Sequence, residues 1–168
     1  MEPTAQAIDP HGSLAQHAVE VISRCGVPGI RRIVVGAVTV RQRAMGDHLL
    51  LLRRRSNLQY GGIEELPSGA VEDRETLGEA LAREVLEETG LRIGTSAPFL
   101  FEFSYPSRKG LTLQLNYLVR APASRTVRLG SEHESFRWIS ISSIEASELT
   151  EPVKAGLREA FVAVDAQR

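Results

Sequence analysis

The 168-residue sequence predicts an α/β fold, a sandwich in which a mixed sheet is covered by helices on both faces. Three observations carry that reading. The segment "HLLLLRRR" (48–55) holds a continuous apolar run, the pattern of a strand buried on both faces. Residues 98–106 and 111–121 alternate apolar and polar positions around "SRKG", a hairpin signature. Helical periodicity appears in three places interleaved with these strands, and layered packing of such elements buries both faces of a sheet.

Residues 1–11, with Pro3 and Asp9-Pro10, read as a loose tail. Residues 12–168 read as one domain, with its core at about 30–165. A first helix is expected at 13–25, with Ser13 as N-cap, Leu14, Val19 and Ile22 on the apolar face, and Gly26 as stop. Strands follow at 31–40 and 48–55. Residues 56–69 form a loop rich in turn formers, with a short extended piece around Leu66. The strongest helical pattern runs over 73–89 and stops at Gly90. After the hairpin come a strand at 134–144 and a closing amphipathic helix at 150–164.

Composition narrows the function classes. A hydrophobic share of 42% and a charged share of 24% are ordinary for a globular protein. The net charge of −1 gives no global basic field to draw in duplex nucleic acid. Small anionic substrates remain open, because local clusters decide those. Cys25 is the only cysteine, which excludes an intrachain disulfide and suits a reducing compartment. There is no apolar run long enough for a transmembrane helix, and the first residues lack signal-peptide character. The expectation is a cytoplasmic enzyme or binding protein without a membrane partner.

The helix at 73–89 poses the chemical question. Leu77, Ala80, Leu81 and Val85 make its apolar stripe. On a helical wheel Glu84 falls inside that stripe, Glu88 lies beside Leu81, and Glu87 sits at the edge. Acids in C-terminal turns oppose the helix dipole by roughly 0.3–1 kcal/mol each. Like charges three or four residues apart add about 0.2–0.5 kcal/mol per pair. A half-buried carboxylate cluster needs cations, and Mg²⁺, which takes oxygen ligands, meets that need. The competing reading is a solvated acidic face offset by Arg83 or Arg92.

The context of these acids is "GAVEDRETLGEALAREVLEETGL" (69–91). Gly69, Glu75, Arg83, Glu84, Val85, Glu87, Glu88, Gly90 and Leu91 stand at every fixed position of the Nudix box, Gly-x5-Glu-x7-Arg-Glu-U-x-Glu-Glu-x-Gly-U with U aliphatic. The chain therefore resembles the Nudix hydrolases, of the MutT and ADP-ribose pyrophosphatase kind. The resemblance implies the Nudix fold, an α/β/α sandwich with a mixed sheet and a loop–helix–loop motif that binds Mg²⁺ or Mn²⁺. It implies hydrolysis of a pyrophosphate bond in a nucleoside diphosphate linked to another moiety. By position, Glu84, Glu87 and Glu88 become metal ligands, joined by backbone oxygens near Ser68 and Gly69. Arg83 would hold a glutamate by a bidentate ion pair, and Glu75 would brace the loop. In such chemistry a divalent ion neutralises phosphate charge and acidifies water, and a carboxylate takes the proton.

Outside the box, Glu132 and Glu134 in "GSEHESFRW" (130–138) are candidates for a distant base, with Glu132 preferred. His133 between them reads as a loop residue. Arg53 and Arg55 in "LLRRRSN" (51–57), with Arg54 alternating between them, are candidates for phosphate contacts, and Tyr60 is the nearest aromatic ahead of the box. Arg108 and Lys109 read as turn solvation. Two departures touch the nucleobase contact: Pro67-Ser68-Gly69 replaces the frequent Pro-Gly-Gly, and "IEE" (63–65) stands where an aromatic often lies. Pro106, fifteen residues beyond Leu91, is a weak pointer to ADP-ribose, and Thr150 stands where oxidised-nucleotide hydrolases often carry asparagine. The leading expectation is an enzyme with a small nucleotide substrate. The alternative is a non-catalytic Nudix-fold nucleotide sensor. Many relatives dimerise, so a homodimer remains open.

Overall fold

The computed structural model describes residues 29–44, 46–122 and 126–165. The expected tail at 1–11, the helix at 13–25 and Cys25 lie outside them. The order is β1 (Ile30–Arg43), β2 (Gly46–Arg54), β3 (Glu64–Glu65), β4 (Ser68–Ala70), α1 (Leu77–Thr89), β5 (Phe99–Ser107), β6 (Gly110–Arg120), β7 (His133–Ser140), a 3-10 helix (Ile141–Ala146) and α2 (Glu151–Asp165). No helix among the described residues is long and apolar enough to cross a membrane.

The seven strands form one mixed sheet. Its main path is β3-β2-β1-β6-β5, with β4 added to β1 and β7 to β2. The central pair β1 and β6 is parallel, and the other pairings are antiparallel. Strand periodicity sends alternate residues to opposite faces, and here both faces are apolar. Val35, Ala37, Leu50, Leu52, Leu115 and Tyr117 pack with Leu77, Ala80, Leu81 and Val85 of α1. Val38, Val40, Leu49 and Leu51 pack on the other side with Val153 and Leu157 of α2. Leu49 to Leu52 are all at most 1% exposed, the doubly buried strand that the apolar run predicts.

Two boundaries differ from the periodicity. The box helix begins at Leu77, not 73. Arg74 takes φ +68°, which no helix accommodates, and Thr76 caps the helix instead. The Thr76 hydroxyl accepts from the Glu79 amide, and the Glu79 carboxylate accepts from the Thr76 amide, a capping box. The last strand ends at Ser140 rather than 144. Alternation of Ile139 and Ile141 mimics continued strand, but Ile144 enters the core from a 3-10 turn.

Candidate functional site

β4 and α1 are packed against each other and against β1, so the Ser68–Gly69 backbone faces the C-terminal half of the helix. Glu88 Oε2 accepts from the Ser68 amide at 2.9 Å. The Glu84 carboxylate lies directly against Gly69, where a Cβ would collide with it. Glu87 is the outlier, with its side chain 60% exposed, whereas Glu84 and Glu88 are mostly buried. The wheel placed Glu87 at the edge of the stripe, and there it stands.

Arg83 is the anchor of this region. Its Nε and Nη2 reach Glu75 Oε1 and Oε2 at 2.8 and 2.9 Å, a bidentate pair. Nη2 also donates to the Ala70 carbonyl at 2.9 Å, and Nη1 to Glu84 Oε1 at 2.6 Å. One guanidinium therefore joins the loop, β4 and the helix. Glu75 is held below the usual carboxylate range by that guanidinium. Glu84 is raised by burial, with Arg83 opposing the shift.

Among the described residues Glu88 has no such cation. Burial pushes its carboxyl up to about 9; the Ser68 amide opposes this, while the charges of Glu65, Glu84 and Glu132 add to it. A buried carboxylate without a cation is costly. The donor set is hard oxygen with surplus negative charge, which fits a divalent ion of the Mg²⁺ type. Among the described residues, no three acidic, imidazole or thiolate side chains are, as they stand, gathered closely enough to hold an ion. An open set of one or two carboxylates suits an ion that keeps waters and takes phosphate oxygens. Glu84 and Glu88, with main-chain oxygens near Gly69, are the residues that would hold it.

The far side of the site comes from β2, β3 and the segment before β7. Arg54 Nη1 lies 2.9 Å from Glu132 Oε2 and 3.2 Å from Glu65 Oε1. Glu132 is thereby brought to the rim of the acid cluster, while Glu134 is exposed with no comparable partner among the described residues. His133 corrects its loop reading: it opens β7, is fully buried, and places Nε2 2.8 Å from Glu65 Oε1. The helix end is tied to the same segment, because Arg128 and Gly130 amides donate to the Thr89 and Glu88 carbonyls at 2.8 and 3.0 Å.

The arginines divide between the faces of the sheet as alternation requires. Arg54, not Arg53 or Arg55, reaches the acids near Glu88. Arg53 lies on the opposite face, with Nη1 2.6 Å from the Gly62 carbonyl and Nη2 2.7 Å from Glu148. Arg55 braces the turn before β7 through the Ser131 carbonyl at 2.7 Å. Tyr60 is exposed on the loop with φ +59°. In the "IEE" stretch before the box stands Glu64, only 3% exposed and bound by Arg137 through two hydrogen bonds of 2.5 and 2.8 Å. Arg137 first, and the Glu148 amide after it, hold that carboxyl below the usual range despite its burial. Arg53, Glu64, Phe136, Arg137 and Glu148 line a cavity of about 380 Å³.

Comparison with known proteins agrees with this geometry. The NUDIX domain matches residues 30–161. An octanoyltransferase of Myxococcus xanthus is 32% identical over 111 residues, which cover 64% of this chain and 30% of that protein. An ADP-ribose pyrophosphatase of Methanocaldococcus jannaschii is 34% identical over 93 residues, which cover 55% of this chain and 54% of that one. The matched segments thus span about a third and about half of these relatives' lengths. Among solved structures, a MutT protein of Methanosarcina mazei Go1 superposes with a TM-score of 0.67 at 26% identity, covering 79% of this chain and 94% of that one. With the family match extending across the whole described sheet and into α2, the chain belongs to the NUDIX-domain family.

Proposed function

We propose that this protein is a divalent-metal-dependent pyrophosphohydrolase acting on a nucleoside diphosphate linked to another moiety. The observation that carries the reading is the convergence of Glu84 and Glu88 on the Ser68–Gly69 backbone, with Glu88 buried and lacking a cation. The pyrophosphatase activity named for the Methanocaldococcus relative and the MutT name of the structural neighbour support the reaction class. ADP-ribose is the first substrate to try, with dinucleoside polyphosphates, NADH and canonical or oxidised nucleoside triphosphates beside it.

A bound Mg²⁺ or Mn²⁺ would supply charge neutralisation at the bridging phosphate oxygens and activation of water. The chain's own residues set the frame for that chemistry. Arg83, locked to Glu75 and Ala70, fixes the Glu84 carboxylate against Gly69. The Ser68 amide fixes one oxygen of Glu88 and leaves the other on the side of the His133 ring, 3.9 Å from its Nε2. Glu87 and Glu132 are exposed carboxylates at the rim, and either would take the proton from water in this reading. Arg54 steadies Glu132 for that role.

The test is product release over that substrate panel, with Mg²⁺ and with Mn²⁺. Metal-dependent turnover that falls on Glu84→Gln supports the reading. Absence of turnover on every substrate, with wild type and Glu84→Gln alike, overturns it. Nucleotide-induced thermal shifts without hydrolysis would instead identify a binding module.

A further inference from the structure

Glu65 and His133 belong to no part of the box, yet they stand beside its last glutamate. Pairing of β3 and of β7 with β2 brings them together: Glu65 is opposite Leu52, and His133 is opposite Arg54. The imidazole edge carries both contacts. Its Nε2 lies 2.8 Å from Glu65 Oε1 and 3.9 Å from Glu88 Oε1. The two carboxylates therefore flank one ring nitrogen.

The proton on that ring can be placed. His133 is fully buried, and its Nδ1 has no hydrogen-bond partner among the described residues. A proton on Nδ1 would be a buried donor without an acceptor, which is costly. A proton on Nε2 meets Glu65. The N–H on the ring edge that faces the acids is thus spent on Glu65. Arg54 donates to the same oxygen, Oε1, at 3.2 Å. Among the described residues Oε2 of Glu65 accepts nothing, so the clamp fixes one oxygen and leaves the other free. An imidazole that orients an anionic oxygen donor next to a cation site is the arrangement expected of an outer shell.

We propose that Glu65 is a third metal-facing carboxylate beside Glu84 and Glu88, and that His133 is the positioning residue that aims it. This rests on the cation site proposed above. It adds a carboxylate from β3, outside the box, and gives the buried imidazole a purpose that packing alone does not require.

Mn²⁺ binding, followed by electron paramagnetic resonance of the free ion, tests the assignment without any substrate. Glu65→Gln and His133→Leu are each expected to weaken Mn²⁺ binding by about 10–100-fold, the usual cost of losing an oriented ligand or its outer partner. His133→Gln, whose amide can donate from a similar place, should recover most of the loss. The double variant Glu65→Gln/His133→Leu should bind no more weakly than Glu65→Gln, because His133 acts through Glu65. Circular dichroism checks folding, and Glu65→Gln, at a half-buried position, keeps the test alive if His133→Leu misfolds. Wild-type Mn²⁺ affinity in folded Glu65→Gln would overturn the proposal, as would a failure of His133→Gln to rescue. If Glu84→Gln and Glu88→Gln also bind Mn²⁺ like wild type, the cation site itself fails. If only those two lose binding, this inference alone fails.

Discussion

Glu88 concentrates the energetics of the site in one side chain. Its folded-state carboxyl is raised to about 9 from an ordinary 4.5, first by burial. Such a group contributes stability that is fully present below about pH 4.5 and is lost as pH rises toward 9. The metal-free protein should therefore melt at falling temperature from pH 6 to pH 9. Each kcal/mol lost amounts to roughly 2–4 °C in a domain of this size. Saturating Mg²⁺ should remove most of that slope, since it stabilises the ionised form. Glu88→Gln should flatten the slope in chelator and raise the metal-free melting temperature, while lowering turnover on the order of 10²–10³-fold. Thermal scans in chelator across that pH range would show it; an unchanged slope in Glu88→Gln would locate the effect elsewhere.

At the scale of elements, β4 and α1 meet through the smallest side chain available. Gly69 has no Cβ, and the Glu84 carboxylate occupies that space. Gly69→Ala should lower the denaturation midpoint only modestly, because the displaced group is the end of a side chain that gives up its Arg83 bond rather than main chain. Turnover should fall on the order of 10²-fold, the cost of moving a reacting group by about 1 Å. Denaturation and steady-state assays on one preparation separate the two effects. This junction was legible in the sequence, because box residues sit at fixed spacings and α1 carries its own periodicity and a glycine stop. Its start was not read at Leu77, since apolar periodicity says nothing about Arg74 adopting φ +68°. Glu64, Glu65 and His133 were illegible for a different reason. Each is polar in a turn-rich stretch, and its burial arises only when β3 and β7 pair with opposite edges of β2, far apart in sequence. Likewise the run Arg53-Arg54-Arg55 announced alternation, but only the register shows that Arg54 is the member facing the acids.

For the molecule as a whole, two apolar layers share one sheet, and the chemistry proposed above belongs to the layer with α1. The layer with α2 is expected to govern stability alone. There Gly156 lies under the Phe101 ring, which a Cβ would strike. Gly156→Ala gains about 1 kcal/mol of helix propensity but faces about 1–3 kcal/mol of overpacking. The clash wins, so the melting temperature should drop by a few degrees while turnover per folded molecule stays constant; a rise in melting temperature would mean that Phe101 moves aside freely. The amides of Arg128 and Gly130, which close the last carbonyls of α1, carry a consequence in time rather than in energy. They lie in a connecting segment without regular structure, where solvent exchange is ordinarily fast. Bonded to the helix end, they should trade hydrogen for deuterium only when α1 itself opens, at the same rate as the amides of its final turn. A deuterium pulse would then mark the box helix and the approach to β7 as one unit that breathes together, so that the buried Glu88 is uncovered only when the segment carrying Glu132 moves with it.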